Sequence, residues 1–234
     1  MGKIDGGDTV SVIMTVHNGE KYLEQSIDSI LSQTRKVDEI IIVNDGSTDE
    51  TSNILEQFGD KILILNQEKS GIARGWNRGV KKSTGNYISF LDADDYWPVN
   101  KIERQLEILS SKSEITISFG YVEQFYSPEL TDEMRALKKC PENPEPGFSS
   151  GTMLINRDTF MSVGLFNPKW KKGIFSDWFL RATDLELSTH MDKNVFLYRR
   201  IHTKNHGILK RDKYNDYVHM LKESLDRRRS KNKL

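Results

Sequence analysis

The chain has 234 residues, 36% hydrophobic and 29% charged, which is long enough for one sizeable core and too apolar for a disordered segment. Basic and acidic residues both number 34, so the formal net charge is zero and the basic field expected of a nucleic-acid binder is missing. The one cysteine, Cys140, excludes an internal disulfide framework and a cysteine-rich zinc site, and the lack of any signal-peptide-like or membrane-spanning apolar run predicts a cytoplasmic protein.

Along the first hundred residues apolar strands alternate with amphipathic helices. Residues 10–16 predict the first strand. Leu23, Ile27, Ile30 and Leu31 then fall at helical spacing, with Glu20, Lys21 and Gln25 on the wet face. Residues 39–43 predict the second strand. Ser47 and Glu50 stand three apart as a capping box for a helix that buries Ile54, Leu55 and Phe58. A strand at 62–65, a helix at 71–82 and a strand at 87–91 follow, the last running into Asp92-Ala93-Asp94-Asp95. Pro98 predicts a helix start, and Ile102, Leu106 and Leu109 form that helix's apolar stripe.

Beyond residue 113 the pattern changes. A β-rich stretch at 116–126 leads into a loop with Pro141, Pro144 and Pro146, where regular structure is expected to lapse. Strands are predicted at 152–156 and 194–199, with a helix at 177–191 between them. A last helix at 212–228 carries the stripe Tyr214, Val218, Leu221 and Leu225. The expectation is a single α/β domain, with a mostly parallel central sheet and helices on both faces. It divides into a first half at 9–112, a second half at 113–210, and a helix with a basic tail at 211–234. Neither an internal repeat nor a long linker is evident.

In an open α/β sheet, ligands bind beyond the carboxyl ends of the strands. Three informative loops lie there: 15–20, 44–49 and 92–97. Three aspartates within four positions after a buried strand repel one another unless a cation or a hydrogen-bonding ligand sits among them. Carboxylates suit Mn²⁺ or Mg²⁺, which take further ligands from substrate phosphates, so a nucleoside diphosphate would complete the shell.

The blocks SVIMTVHNGEKYLEQSIDSILSQ, IIIVNDGSTDET and GNYISFLDADDYWPVNKIERQ, in this order and at these strand ends, closely resemble those of glycosyltransferase family two. SSGTMLINRDTFMSVGLFNP and SDWFLRA resemble its later blocks more loosely. The resemblance implies the GT-A (nucleotide-diphospho-sugar transferase) fold, a nucleotide-sugar donor such as a UDP-sugar, a divalent metal and inversion at the anomeric carbon. It implies that Asp45 contacts the uracil ring, that Asp92 of the D-x-D pair lies toward the ribose, and that Asp94 holds the metal, with His202 completing its sphere. Thr15, Asn18, Glu20 and Ala93 belong to the donor-side loops, and Asp177 matches the general base.

Two positions depart from the family pattern. Ser176 stands where glutamate precedes the base, and Trp76 stands where arginine precedes the position of Asn77. Arg74 or Arg78 could supply the missing cation, since a guanidinium pairs two phosphate oxygens at once. Several bland readings compete. The acidic run also suits a solvated turn, Asp45-Gly46-Ser47 a turn with Ser47 as N-cap, and Asp177 a helix N-cap.

A sugar nucleotidyltransferase would also use two carboxylates and Mg²⁺, but the first strand here leads into His17-Asn18-Gly19-Glu20 rather than a glycine-rich, basic triphosphate loop. A catalytically silent protein that binds a nucleotide-sugar or a glycan is a different answer, which Ser176 and Trp76 keep open. Processive synthesis is disfavoured, since membrane spans and a Gln-x-x-Arg-Trp motif are both missing. The acceptor, whether a glycan, a lipid-linked sugar, a protein, a peptide or a small natural product, is not legible. The tail DRRRSKNKL adds five basic residues suited to peripheral contact with an anionic membrane or to a frayed, solvated helix end.

Overall fold

The apolar run Val10–Val16 forms β1, an interior strand in the computed structural model, which describes residues 7–203, 205 and 214–231. It pairs in parallel with β2 (Glu39–Asp45) on one side and β4 (Tyr87–Phe90) on the other, and β2 pairs in parallel with β3 (Leu63–Gln67). On the other flank β4 pairs antiparallel with β7 (Leu154–Asn156), and β7 with β5 (Ile117–Tyr126). Strand β5 also carries β6 (Glu145–Gly147) in antiparallel and β8 (Thr189–Ile201) in parallel register. The strand order is β3-β2-β1-β4-β7-β5-β6, with β8 joined to β5.

Successive residues of β1 point to opposite faces, and each face has its own core. Val10, Val12, Met14 and Val16 pack with residues of α1 (Leu23–Leu31), α2 (Thr51–Gln57) and α4 (Lys101–Ser111). Ile13 packs with residues of α3 (Ile72–Lys82), α6 (Arg157–Val163) and α7 (Ile174–Asp184). Helix α3 lies close against β1, because a Cβ on Gly79 would run into Ile13 and one on Gly75 into Thr15. The chain leaves β1 toward β2 and β3, then returns through α3 to β4 on the other side of β1. That reversal is a topological switch point, and the loops after β1 and β4 diverge there.

Several boundaries differ from those read in the sequence. Ser47 is not the cap of α2: its Oγ accepts from the Asn18 backbone N–H at 3.0 Å, and Asp49 Oδ1 takes the Thr51 N–H at 3.1 Å. Helix α4 starts at Lys101 rather than at Pro98, because the carbonyls of Pro98 and Val99 are tied to Gln33 and Thr34 beyond α1. The helix expected at 177–191 instead runs from Ile174 to Asp184. Glu186 adopts φ 59, and Ser188 then begins the pairing with β5 through its carbonyl. Helix α6 was not anticipated, nor was the short α5 (Asp132–Ala136) and β6 in the proline-containing stretch.

The last helix, α8 (Tyr214–Lys231), is present, but its apolar stripe does not face the core. Val218, Leu221 and Leu225 are 62%, 54% and 52% exposed, whereas Met220 and Ser224 are buried; the Tyr214 side chain lies outside the described residues. What fastens α8 is polar. Ser224, Arg227 and Arg228 converge on the Asp184 carboxylate, and Lys169 pairs with Glu223 at 2.7 Å. No described helix is long and apolar enough to cross a membrane.

Candidate active site

The acidic run leaves β4 at the switch point as a tight turn, with the Asp95 N–H donating to the Asp92 carbonyl at 3.2 Å. This gathers Asp92, Asp94 and Asp95 so that one ligand atom from each lies within 4.8 Å of the others. Burial and the neighbouring Asp94 charge push the Asp92 carboxyl up to about 7, with Arg199 opposing. Burial and the same negative neighbours also push Asp95 well above the usual range. Carboxylates that resist ionisation together, side by side and with oxygen ligands only, fit a hard divalent cation, whose charge would remove the repulsion. His202 stands beside Asp94, with Nε2 2.8 Å from Oδ2, and is only 8% exposed.

The loops after β1 and β2 are bound to each other. Thr48 N–H donates to Asn18 Oδ1 at 2.8 Å, Glu20 N–H to Asp49 Oδ2 at 3.2 Å, and Glu50 N–H to Glu20 Oε2 at 3.2 Å. Asn18 sits at φ 55, a conformation that asparagine tolerates better than most residues. The same loop reaches the acidic turn, because a Cβ on Gly19 would lie 3.8 Å from that of Ala93. The structure thus brings Asn18, Glu20 and Ala93 to one place, with Asn18 and Glu20 serving there as braces. Thr15 lies under Gly75, and its buried hydroxyl oxygen has no hydrogen-bond partner among the described residues.

Asp45 is 3% exposed at the end of β2, and its carboxylate accepts from Ser70 N–H and Gly71 N–H, both at 2.8 Å, and from Gln67 Nε2 at 2.7 Å. Burial pushes its carboxyl upward, but these hydrogen bonds outweigh that and hold it below the usual range. Asp45 therefore shapes the β3–α3 loop directly. The two arginines of α3 serve the same loop: Arg74 donates to the Ser70 carbonyl at 3.1 Å and Arg78 to the Asn66 carbonyl at 2.7 Å. Trp76 points the other way, 4% exposed, into an aromatic cluster with Phe90 and Phe166. The departure at Trp76 thus belongs to the core beneath the sheet.

Asp177 lies in the first turn of α7, 2% exposed, with Oδ2 held by Arg181 Nε at 3.2 Å. Arg181 in turn donates to the carbonyls of Val163 and Leu165. Next to the acidic turn is a cavity of about 360 Å³, lined by Asp92, Asp95, Gln124, Glu145, Ser149 and Arg199 among others. Asp177 is not among its lining residues, whereas Glu145, on β6, is.

Several residues of this site were not singled out from the sequence. Arg200 N–H donates to Asp95 Oδ1 at 2.8 Å and its Nε to the Asp94 carbonyl at 3.0 Å, while its Nη2 bonds Gln25. Its guanidinium lies 4.4 Å from the ring centroid of Tyr22, and that ring is tilted against His202 at 5.1 Å. Arg199 faces the cavity beside Arg200. The one available signal was a pair of adjacent arginines in a strand, where charged residues seldom sit unless partnered.

The family model for glycosyl transferase family 2 matches residues 11–165. An uncharacterized glycosyltransferase of Rickettsia prowazekii (strain Madrid E) is 33% identical over 229 residues, covering 88% of this chain and 69% of the relative. The putative teichuronic acid biosynthesis glycosyltransferase TuaG of Bacillus subtilis (strain 168) is 39% identical over 109 residues, 44% of this chain and 43% of TuaG. Across four rickettsial relatives, the chain spans between 37% and 69% of their length. Among solved structures, S. aureus TarS 1-349 in complex with UDP-GlcNAc superposes with TM-score 0.75 at 16% identity, covering 94% of this chain and 66% of that one. That likeness is one of fold.

Proposed function

Because the chain belongs to glycosyl transferase family 2, we propose that it transfers a sugar from a nucleotide-sugar, in the first instance a UDP-sugar, to an acceptor hydroxyl with inversion. The observation that carries this reading is the Asp92, Asp94 and Asp95 cluster at the switch point, with His202 against Asp94. The UDP-GlcNAc complex of TarS supports the choice of donor class. Residues 9–112 form the donor half of this reading, 113–210 the acceptor half, and 211–234 the terminal helix and tail.

Asp94 and His202 would hold Mn²⁺ or Mg²⁺, with Asp92 turned toward the ribose. Bound there, the cation supplies positive charge to the departing diphosphate. Asp45, by fixing residues 67–71, frames the nucleotide-base pocket together with Thr15, and the Asn18–Glu20 loop closes its side. Arg74 and Arg78, both on that frame, are the nearest α3 cations for the diphosphate. The acceptor oxygen attacks the anomeric carbon as the bond to the diphosphate breaks, and its proton passes to a carboxylate.

Asp177 is the proton acceptor that the family resemblance implies, with its Oδ2 paired to Arg181. A second reading, favoured by the cavity lining, gives that role to Glu145. Two variants separate them. If Asp177 is the base, Asp177→Asn abolishes transfer while UDP-sugar binding persists; if Glu145 is, Glu145→Gln does so. Titration calorimetry with UDP-sugars, with and without Mn²⁺, tests the reading as a whole: Mn²⁺-assisted uptake that disappears in Asp94→Asn is expected, and its absence in the wild type would refute it. Donor uptake without hydrolysis or transfer would mark a silent binding protein instead.

A further inference from the structure

Helix α8 presents an apolar stripe to solvent although it is packed on the protein through its other side. Tyr217, Val218, Leu221 and Leu225 are between 45% and 62% exposed, and at 3.6 residues per turn they fall along one flank of the helix. The cations Lys222 and Arg229 stand at the edge of that flank, both exposed, and among the described residues neither has an ion-pair partner. Of the carboxylates of the helix, Asp216 and Glu223 lie round toward the opposite side, while Asp226 stands beside the cations, four residues after Lys222 and three before Arg229.

The stripe also continues into a groove. Tyr217 and Leu221 line a second cavity, of about 290 Å³, with Phe148, Phe175, Phe179 and Met220. Phe148 is 52% exposed and lines the acidic cavity as well, so one aromatic side chain borders both cavities. An apolar flank edged by two cations, with Asp226 the one carboxylate of the helix beside them, complements an anionic lipid interface. An antiparallel two-fold contact between copies centred on Leu221 would instead bring Lys222 of one close to Lys222 of the other.

We propose that the α8 face formed by Val218, Leu221 and Leu225, edged by Lys222 and Arg229, docks on the surface of a bilayer containing anionic lipid. The groove past Phe148 then opens at the lipid interface. This goes beyond the proposed transfer reaction and is tested without donor, metal or acceptor, so its failure leaves that reading untouched.

The experiment is co-sedimentation of the full chain with vesicles of equimolar phosphatidylcholine and phosphatidylglycerol, and with phosphatidylcholine alone. The protein is expected to pellet with the first and stay largely in solution with the second. Val218→Ser/Leu221→Ser/Leu225→Ser and Lys222→Glu/Arg229→Glu should each weaken partitioning about ten-fold or more, since each surface cation contributes roughly a factor of five. All five positions are exposed, so circular dichroism should show both variants folded. The proposal is overturned if the folded wild type ignores anionic vesicles, or if both variants bind as the wild type does. It is also overturned if light scattering shows a dimer that the serine variant dissolves, for then a second copy covers the stripe.

Discussion

Replacing Asp92 by asparagine should stabilise the metal-free protein and weaken its response to Mn²⁺ and UDP. The Asp92 carboxyl is pushed from 3.8 to about 7, by burial first and by the Asp94 charge second. A displacement of that size corresponds to at most about 4 kcal/mol of opposition to the ionised form. Because the folded value is raised, the wild type loses nothing below pH 3.8, loses stability progressively as pH rises from there toward 7, and loses no more above it. Asparagine keeps the shape without the charge. Part of the displacement is shared with Asp94 and Asp95, so the expected gain near pH 8 is about 1–3 kcal/mol, or about 2–10 °C in melting temperature for a chain of this size.

The assay is thermal unfolding of both proteins in EDTA from about pH 4 to pH 8, repeated with Mn²⁺ and UDP. The variant's advantage should vanish near the acid end and grow to a plateau above neutrality. With Mn²⁺ and UDP present the variant's advantage should shrink, because the wild type gains more ligand stabilisation than the variant does. An Asp92→Asn protein no more stable than wild type at pH 8 in EDTA would show that the three carboxylates do not strain one another, and the electrostatic case for a cation among them would fall.

Two further substitutions probe the frame around the site. Asp45→Asn should destabilise the protein by roughly 1.5–3 kcal/mol, because the carboxylate accepts from two backbone amides and Gln67 in a buried position. As the Asp45 carboxyl is held below its ordinary value, that contribution is present above pH 3.8 and fades as the pH falls through the lowered value, so urea titrations of the two proteins should converge in acid. Lys101→Met should raise the melting temperature at neutral pH. Burial lowers the Lys101 ammonium well below 10.5, so the folded state loses stability as pH falls below 10.5, and the advantage of methionine should shrink on titrating back toward that value. A Lys101→Met protein that melts lower at pH 7 would show that the hydrogen bond to Ser89 and the contact with the Trp97 ring outweigh the burial.

The first half of the site was legible because its signals are local. A mostly apolar strand running into three aspartates within four positions needs no tertiary information to be placed, and β1, β2 and β4 appear within two residues of the predicted bounds. Caps and starts were misread where a distant partner intervenes. Ser47 is drawn off α2 by the Asn18 N–H, and Pro98 is held by Gln33 across the sheet end. The α8 stripe shows a different limit. Periodicity reports that apolar residues share a flank, but it does not report which flank the protein covers, and here polar contacts to Asp184 decided the matter.

The second half was opaque for a reason that bears on function. An acidic turn as crowded as 92–95 persists only if the rest of the chain steadies it, and the steadying groups come from the end of β8 and the residue after it, more than a hundred residues away. Arg200 binds the Asp94 carbonyl and the Asp95 carboxylate, Arg199 faces Asp92, and His202 meets Asp94. None of these pairings follows from spacing, because β8 reaches the turn only through its parallel register with β5 and the bridge between Tyr96 and Tyr198. The site therefore closes when residues 9–112 and the later half of the chain join in one sheet. It follows that the 9–112 segment alone should lack an ordered acidic turn, since Arg199, Arg200 and His202 would be gone and the three carboxylates would face one another unopposed.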